Sequence, residues 1–213
     1  MPITAATWTS PRTVPWFVLG DEAPVRTVAI VLHGLMQRAA DLARDLEPAG
    51  GDGLCVVVPE GLSRSLPYPG AAKAGASWST GDDAEIDLRD NLRYLGDLAA
   101  ELEARWPQAR RILIGFSQGG LMATRWVRHA PRAWDRVVLW GAPLAGDVDA
   151  AGFKLALGEA ELVLALGDSD PLAQPALVRS ALDRLASVGL DWREHRYPGG
   201  HEVSADVLRE LCR

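Results

Sequence analysis

The 213-residue sequence has no run of about 18 apolar residues, so no membrane-spanning helix is expected and no stable membrane insertion follows. It has only two cysteines. Cys55 lies inside the apolar run Leu54–Val58 and Cys212 lies beside the C-terminus. That placement predicts free thiols in a reducing, cytoplasmic setting, with a Cys55–Cys212 disulfide as the alternative. The four histidines are scattered, and neither C-x-x-C nor H-E-x-x-H occurs, so no metal-site spacing is present. There is no block of like charge, and a net charge of −6 argues against nucleic acid or an anionic membrane as the main partner. Met1–Ala6 has neither a basic start nor an apolar core, so no signal peptide is expected. Repeats and low-complexity tracts are absent.

What is present suits one globular domain over residues 1–213. At 48% hydrophobic and 23% charged, the chain is apolar enough to bury a sizeable core. Continuous apolar runs at Thr27–Leu32, Leu54–Val58, Ile112–Ile114, Val137–Trp140 and Leu162–Leu166 read as strands covered on both faces. Val14–Leu19 reads as an edge strand, and the alternating Asp191–Tyr197 as a last, more exposed one. Helices are expected at Arg38–Glu47, Asp82–Arg105, after Ser117, at Ala176–Val188 and at His201–Cys212. Glu60–Ser79, rich in Gly, Pro, Ser and Ala, reads as a long surface loop of functional length. Strands and helices therefore alternate. The fold class is α/β, a mostly parallel sheet with helices on both faces and no room for a large lid domain.

One segment carries chemistry. Ile112–Ile114 reads as an apolar strand, Gly115-Phe116-Ser117-Gln118-Gly119 fits G-x-S-x-G, and Leu121–Val127 reads as a helix. Strand, sharp turn with serine at its tip, and helix make a nucleophile elbow. Side chains two residues either side of Ser117 would collide with the strand or helix, which is why glycines stand there. A serine hydroxyl needs a histidine base, and the histidine needs a carboxylate to fix its tautomer. In the order that α/β-hydrolases use, an acid and then a histidine must follow Ser117.

Asp168 and Asp170, in Gly167-Asp168-Ser169-Asp170-Pro171, compete for the acid, and strand direction does not choose between them. Asp170 before Pro171 also suits a helix N-cap. Of the histidines, His129 ends a helix, His195 sits in the alternating strand, and His33 follows a strand as a buttress of its loop. His201 follows Gly199-Gly200 at a strand end and opens a helix, which makes it the candidate base. An oxyanion needs two backbone N–H donors. Gln118, after the serine, supplies one, and Leu35, in the loop His33-Gly34-Leu35-Met36, supplies the other.

These motifs together resemble the phospholipase/carboxylesterase family of α/β-hydrolases, which includes bacterial carboxylesterases and acyl-protein thioesterases. The resemblance runs from about Thr27 to the C-terminal helix and rests on Leu32-His33-Gly34-Leu35, Gly115-Phe116-Ser117-Gln118-Gly119-Gly120, Gly167-Asp168-Ser169-Asp170-Pro171-Leu172 and Gly200-His201. It implies Asp170, directly before the proline, as the catalytic acid with Asp168 in support. It also implies Ser117 as nucleophile, His201 as base, Leu35 and Gln118 at the oxyanion, and hydrolysis of esters or thioesters without a cofactor.

The chain departs from that pattern at Leu35-Met36-Gln37, where the family reads L-G-D, and at Leu172-Ala173-Gln174, where it reads L-V-P. Met36 puts a bulky side chain beside the oxyanion loop, where it reshapes the acyl pocket. Trp78 resembles a tryptophan the family carries near the active-site rim, with ordinary packing as the alternative. The activity implied is hydrolysis of small to medium carboxylic esters through an acyl-enzyme. A thioesterase or lysophospholipase for longer acyl chains is the alternative. A non-catalytic binding module on the same fold is the rival from another class. The partner implied is a small-molecule ester or thioester, and the protein is expected as a monomer or homodimer.

Overall fold

The computed structural model describes residues 7–22, 24–69 and 71–213. Seven strands form one sheet: β1 (Trp16–Leu19), β2 (Thr27–Leu32), β3 (Leu54–Pro59), β6 (Arg110–Phe116), β7 (Arg136–Trp140), β8 (Glu161–Gly167) and β9 (Arg193–Tyr197). Their spatial order is β1-β3-β2-β6-β7-β8-β9. Every neighbouring pair is parallel except β1 with β3, so the antiparallel strand lies at an edge. This is the α/β architecture expected from the alternation of apolar runs and helical segments.

The strand residues divide by parity, because successive side chains point to opposite faces of a sheet. Val28, Ile30, Leu32 and Leu113 pack into one core with helices α2 (Ala84–Arg105), α3 (Gln118–His129), α4 (Ala150–Leu157) and α5 (Pro175–Ala186). Ala29, Val31, Ile112 and Ile114 pack into a second core under α1 (Ala39–Leu46) and α6 (Ala205–Cys212). Both faces of β2 and β6 are therefore covered. That is why these strands read as unbroken apolar runs rather than alternating ones.

Three segments depart from the sequence reading. The stretch from Glu60 to Ser79 is not an open loop. It contains a small antiparallel hairpin, β4 (Ser63–Ser65) with β5 (Gly75–Ser77), and Glu60, Ala76, Ser77 and Trp78 within it are buried. At its start the fully buried Glu60 carboxylate accepts from Arg38 Nε at 2.7 Å, from the Ala39 N–H at 3.1 Å and from Arg64, which ties the segment to the start of α1. Helix α4 has no counterpart in the sequence reading. Its signals are short-range: Asp149 caps the N-terminus through the Gly152 N–H, and Gly158, at φ +61°, ends it. Finally, His201 does not open the last helix. That helix begins at Ala205, with Ser204 as its cap accepting from the Val207 N–H, and His201 remains on the preceding loop.

Candidate active site

The site lies at the carboxyl ends of the parallel strands, where open α/β sheets gather their ligands. Ser117 follows β6 with φ +53° and ψ −120°, a conformation costly for a residue with a side chain. Its N–H donates to Trp140 O at 2.9 Å and its carbonyl accepts from the Gly120 N–H at 2.9 Å, so the strand on one side and the helix on the other fix the turn. A Cβ on Gly115 would stand 2.5 Å from Gly120 Cα, and one on Gly119 would stand 2.6 Å from His33 O. The two glycines thus let α3 start against β6 and against the loop after β2. The first turn of α3 points its N–H groups toward the serine, where developing negative charge is favoured.

Asp170 and His201 meet on the neighbouring loops. His201 Nδ1 lies 2.8 Å from Asp170 Oδ2, and Asp170 Oδ1 accepts from the Leu172 N–H at 2.8 Å. The Asp170 side chain is 1% exposed, and Asp168 is exposed and faces Arg196 at 3.8 Å. The structure therefore pairs the histidine with the second aspartate and leaves the first at the surface. A carboxylate can only accept, so Nδ1 donates to it, and in the neutral ring that leaves the lone pair on Nε2. Nε2 is buried and has no hydrogen-bond partner among the described residues, Ser117 Oγ included. Catalytic hydrogen bonds are often long before substrate binds.

The imidazole is wedged from two further sides. The Phe116 ring lies 4.8 Å from it, centroid to centroid, at 37°. Gly141, at φ +58°, has no Cβ to fill the other side, where one would lie 3.1 Å from His201 Cε1 and 3.4 Å from Asp170 Oδ2.

The loop after β2 is a closed turn. The Gly34 N–H donates to Gln37 Oε1 at 3.0 Å, and Gly34 O accepts from the Gln37 N–H at 3.3 Å. Gln37 thus occupies the Gly34 donor, while the N–H groups of Leu35 and Gln118 take no partner among the described residues. His33 lies beneath. Its Nδ1–H donates to Gly34 O at 2.7 Å and its Nε2 accepts from the Gly61 N–H at 2.9 Å. Burial lowers its pKa from 6.5 to about 4, so the ring is neutral at pH 7. It buttresses the loop, as its position after β2 suggests.

Trp78 is not at a rim. It is 1% exposed, its indole N–H donates to His33 O at 2.8 Å, and its ring lies 4.9 Å from the His33 ring. Its backbone is held as well, the N–H donating to Gln118 Oε1 and the carbonyl accepting from Asn91 Nδ2, each at 3.0 Å.

Gln118 was expected to act through its backbone alone, yet its side chain bridges this segment. Its Oε1 accepts from the Trp78 N–H and its Nε2 donates to Ser79 O, each at 3.0 Å. Met36 sits in the positive-φ region at +60°, with Sδ 3.2 Å from Ser65 Oγ, and lies between the loop and the hairpin. Leu35 and Leu172 are each about 60% exposed on the loops after β2 and β8. Among the described residues no group of three His, Cys, Asp or Glu side chains is placed to hold a metal ion.

Fold and site geometry together make the chain an α/β-hydrolase by architecture. Residues 75–164 match the model of a hydrolase family described as serine aminopeptidase, S33. That stretch spans β5 through most of β8 and includes the elbow.

Solved structures with this fold include acyl-protein thioesterase 2 of Zea mays, with 15% identity over 93% of this chain and 96% of that one at a TM-score of 0.68. A carboxylesterase of Mesorhizobium loti matches with 18% identity over 92% and 93% at 0.67, and esterase PE8 with 20% identity over 93% and 98% at 0.64. Carboxylesterases and acyl-protein thioesterases are the enzymes whose motifs the sequence resembles. At these identities the likeness is one of fold. No curated protein sequence matches the chain.

Proposed function

We propose that this chain is one catalytic domain, a cofactor-independent serine esterase of the phospholipase/carboxylesterase type. It acts in the cytoplasm as a monomer or homodimer on small to medium acyl esters. The observation that carries the reading is the Asp170–His201 pair on the loops beside a strained serine elbow.

In acylation, Ser117 Oγ attacks the ester carbonyl and its proton passes to His201 Nε2. Asp170 holds the imidazole tautomer and stabilises the imidazolium. The oxyanion accepts from the Leu35 and Gln118 N–H groups. His201 then gives its proton to the leaving oxygen, the carbonyl–oxygen bond breaks, and alcohol departs. Water, deprotonated by His201, attacks the acyl-enzyme, and Ser117 recovers the proton as the acid leaves.

The test is turnover of p-nitrophenyl acetate and butyrate by wild type and Ser117→Ala. The expected result is loss of catalysed turnover in the variant. Equal rates would overturn the assignment.

A second reading, a thioesterase or lysophospholipase for longer chains, is favoured by the exposed Leu35, Leu172, Leu66 and Tyr68, which offer apolar surface to an acyl chain. Met36, braced between the oxyanion loop and the hairpin, shapes the acyl pocket in either reading. Rates that climb with acyl length, or thioesters cleaved faster than matched oxygen esters, select the second reading. A flat or falling series selects the first. A non-catalytic binder predicts no fluorophosphonate adduct on Ser117 in the folded protein.

A further inference from the structure

Tyr197, the last residue of β9, is 5% exposed and belongs to no role given above. Its hydroxyl has three polar neighbours: Trp140 Nε1 at 2.8 Å, Gly200 O at 3.1 Å and Glu202 O at 3.2 Å. The indole can only donate, so Trp140 gives its proton to the phenol oxygen. The phenol's own proton then goes to one or other of the two carbonyls. Those carbonyls belong to the residues immediately before and after His201. Burial raises the phenol's pKa, so the hydroxyl stays protonated and able to donate.

The tether answers a need of the sequence. His201 follows Pro198-Gly199-Gly200, a stretch with two glycines and therefore large backbone freedom. A base that wanders by 1 Å loses about a hundredfold in rate. Glu202 contributes one local contact, accepting from the Gly200 N–H at 2.8 Å. From the sheet, the Tyr197 hydroxyl lies within hydrogen-bond reach of both flanks of the histidine. Trp140 extends the frame, standing edge-on to Tyr197 at 5.9 Å and to Phe116 at 6.3 Å, the ring that stacks on the imidazole.

We propose that Tyr197 is a positioning residue for His201, its hydroxyl holding the loop at the carbonyl of Gly200 or of Glu202, on either side of the histidine, so that Nδ1 stays on Asp170 and Nε2 is kept available to Ser117. The catalytic part of this rests on the acyl-transfer reading above; the tether itself does not.

The test is Tyr197→Phe, which keeps the ring and removes the hydroxyl. Three outcomes are expected together. With p-nitrophenyl butyrate, kcat falls about tenfold or more while KM stays within about twofold. The rate of Ser117 labelling by a fluorophosphonate falls in parallel. The low-field Nδ1–H proton resonance of His201 shifts or broadens. A merely structural tyrosine would lower Tm and leave kcat and the resonance where they were, and that result overturns the proposal. If the wild type cleaves no ester, the acyl-transfer reading fails by itself. The resonance still decides the tether, because it requires no substrate. Should Tyr197→Phe not fold, 3-fluorotyrosine placed at position 197 keeps the shape but makes the hydroxyl a stronger donor and poorer acceptor. An unmoved His201 resonance in that protein also overturns the proposal.

Discussion

Asp170 Oδ2 stands 2.8 Å from His201 Nδ1 on a side chain that is 1% exposed, and Asp168, two residues earlier, lies in solvent beside Arg196. A buried carboxylate on the histidine fixes its tautomer, and an exposed one at 3.8 Å from an arginine does little. Under the proposed mechanism, Asp170→Asn lowers kcat about 10³- to 10⁴-fold. Asp168→Asn leaves kcat within about twofold. Steady-state kinetics on both variants check this, and similar losses at the two positions would be wrong for the mechanism.

His33 makes stability depend on pH. Its folded pKa, about 4, lies below the ordinary 6.5, so between those values the unfolded chain binds a proton that the folded chain refuses. The contribution is fully present above pH 6.5 and is lost as pH falls toward 4. By pH 4.5 it amounts to about 2 to 3 kcal/mol. Urea unfolding of wild type and His33→Gln at pH 7 and pH 4.5 measures it. The wild type should lose that much more than the variant on acidification. Parallel losses would show that His33 titrates normally.

Gly119 and Gly146 separate packing from composition. A Cβ on Gly119 runs into the backbone carbonyls of Leu32 and His33, whereas one on Gly146 meets nothing within 4 Å. Gly119→Ala should abolish soluble folded protein or lower its Tm by well over 5 °C, as a clash of several kcal/mol requires. Gly146→Ala should move stability by no more than about 0.5 kcal/mol. Thermal melts of the two proteins make the comparison.

The two thiols are both free and both buried. Burial pushes the Cys55 thiol up to about 11 and the Cys212 thiol up to about 12, so almost no thiolate exists at pH 8. An aromatic disulfide reagent should therefore find no fast-reacting group in native protein and two after unfolding in guanidinium without reductant. Zero thiols after unfolding would reveal the Cys55–Cys212 disulfide instead.

The parts of the fold legible in the sequence are those in which one physical signal dominates. β2, β3, β6, β7 and β8 are covered on both faces and so read as apolar runs, correct to within a residue or two at each end. That an acidic turn after β8 and His201 after β9 would meet is also legible, because these strands are neighbours in the parallel sheet and their ends lie side by side.

The choice between Asp168 and Asp170 was not legible from the residues alone, since it depends on which way a four-residue turn faces. The burial of Trp78 was hidden because its partners, His33, Gln118 and Asn91, lie 45, 40 and 13 residues away in sequence. The side-chain roles of Gln37 and Gln118 were hidden for a related reason. A glutamine advertises no partner in sequence, and each is fixed by a backbone group that only the folded chain brings near. The α4 caps, Asp149 and Gly158, were present to be read, but eight residues give too short a periodic stretch to stand out.

The β4–β5 hairpin is held at its root and, through Met36 at Ser65 and Arg38 at Ala74, along its strands. Glu60, Asn91 and the Gln118 side chain grip its two ends, while Leu66 and Tyr68 near its tip project into solvent. Residues at the tip can be exchanged, lengthened or recoloured chemically without disturbing the elbow, because none of the anchoring hydrogen bonds passes through them. The hairpin is the place where such a scaffold acquires new tastes while its chemistry stays still, and libraries confined to residues 66–69 are where altered preference should be sought first.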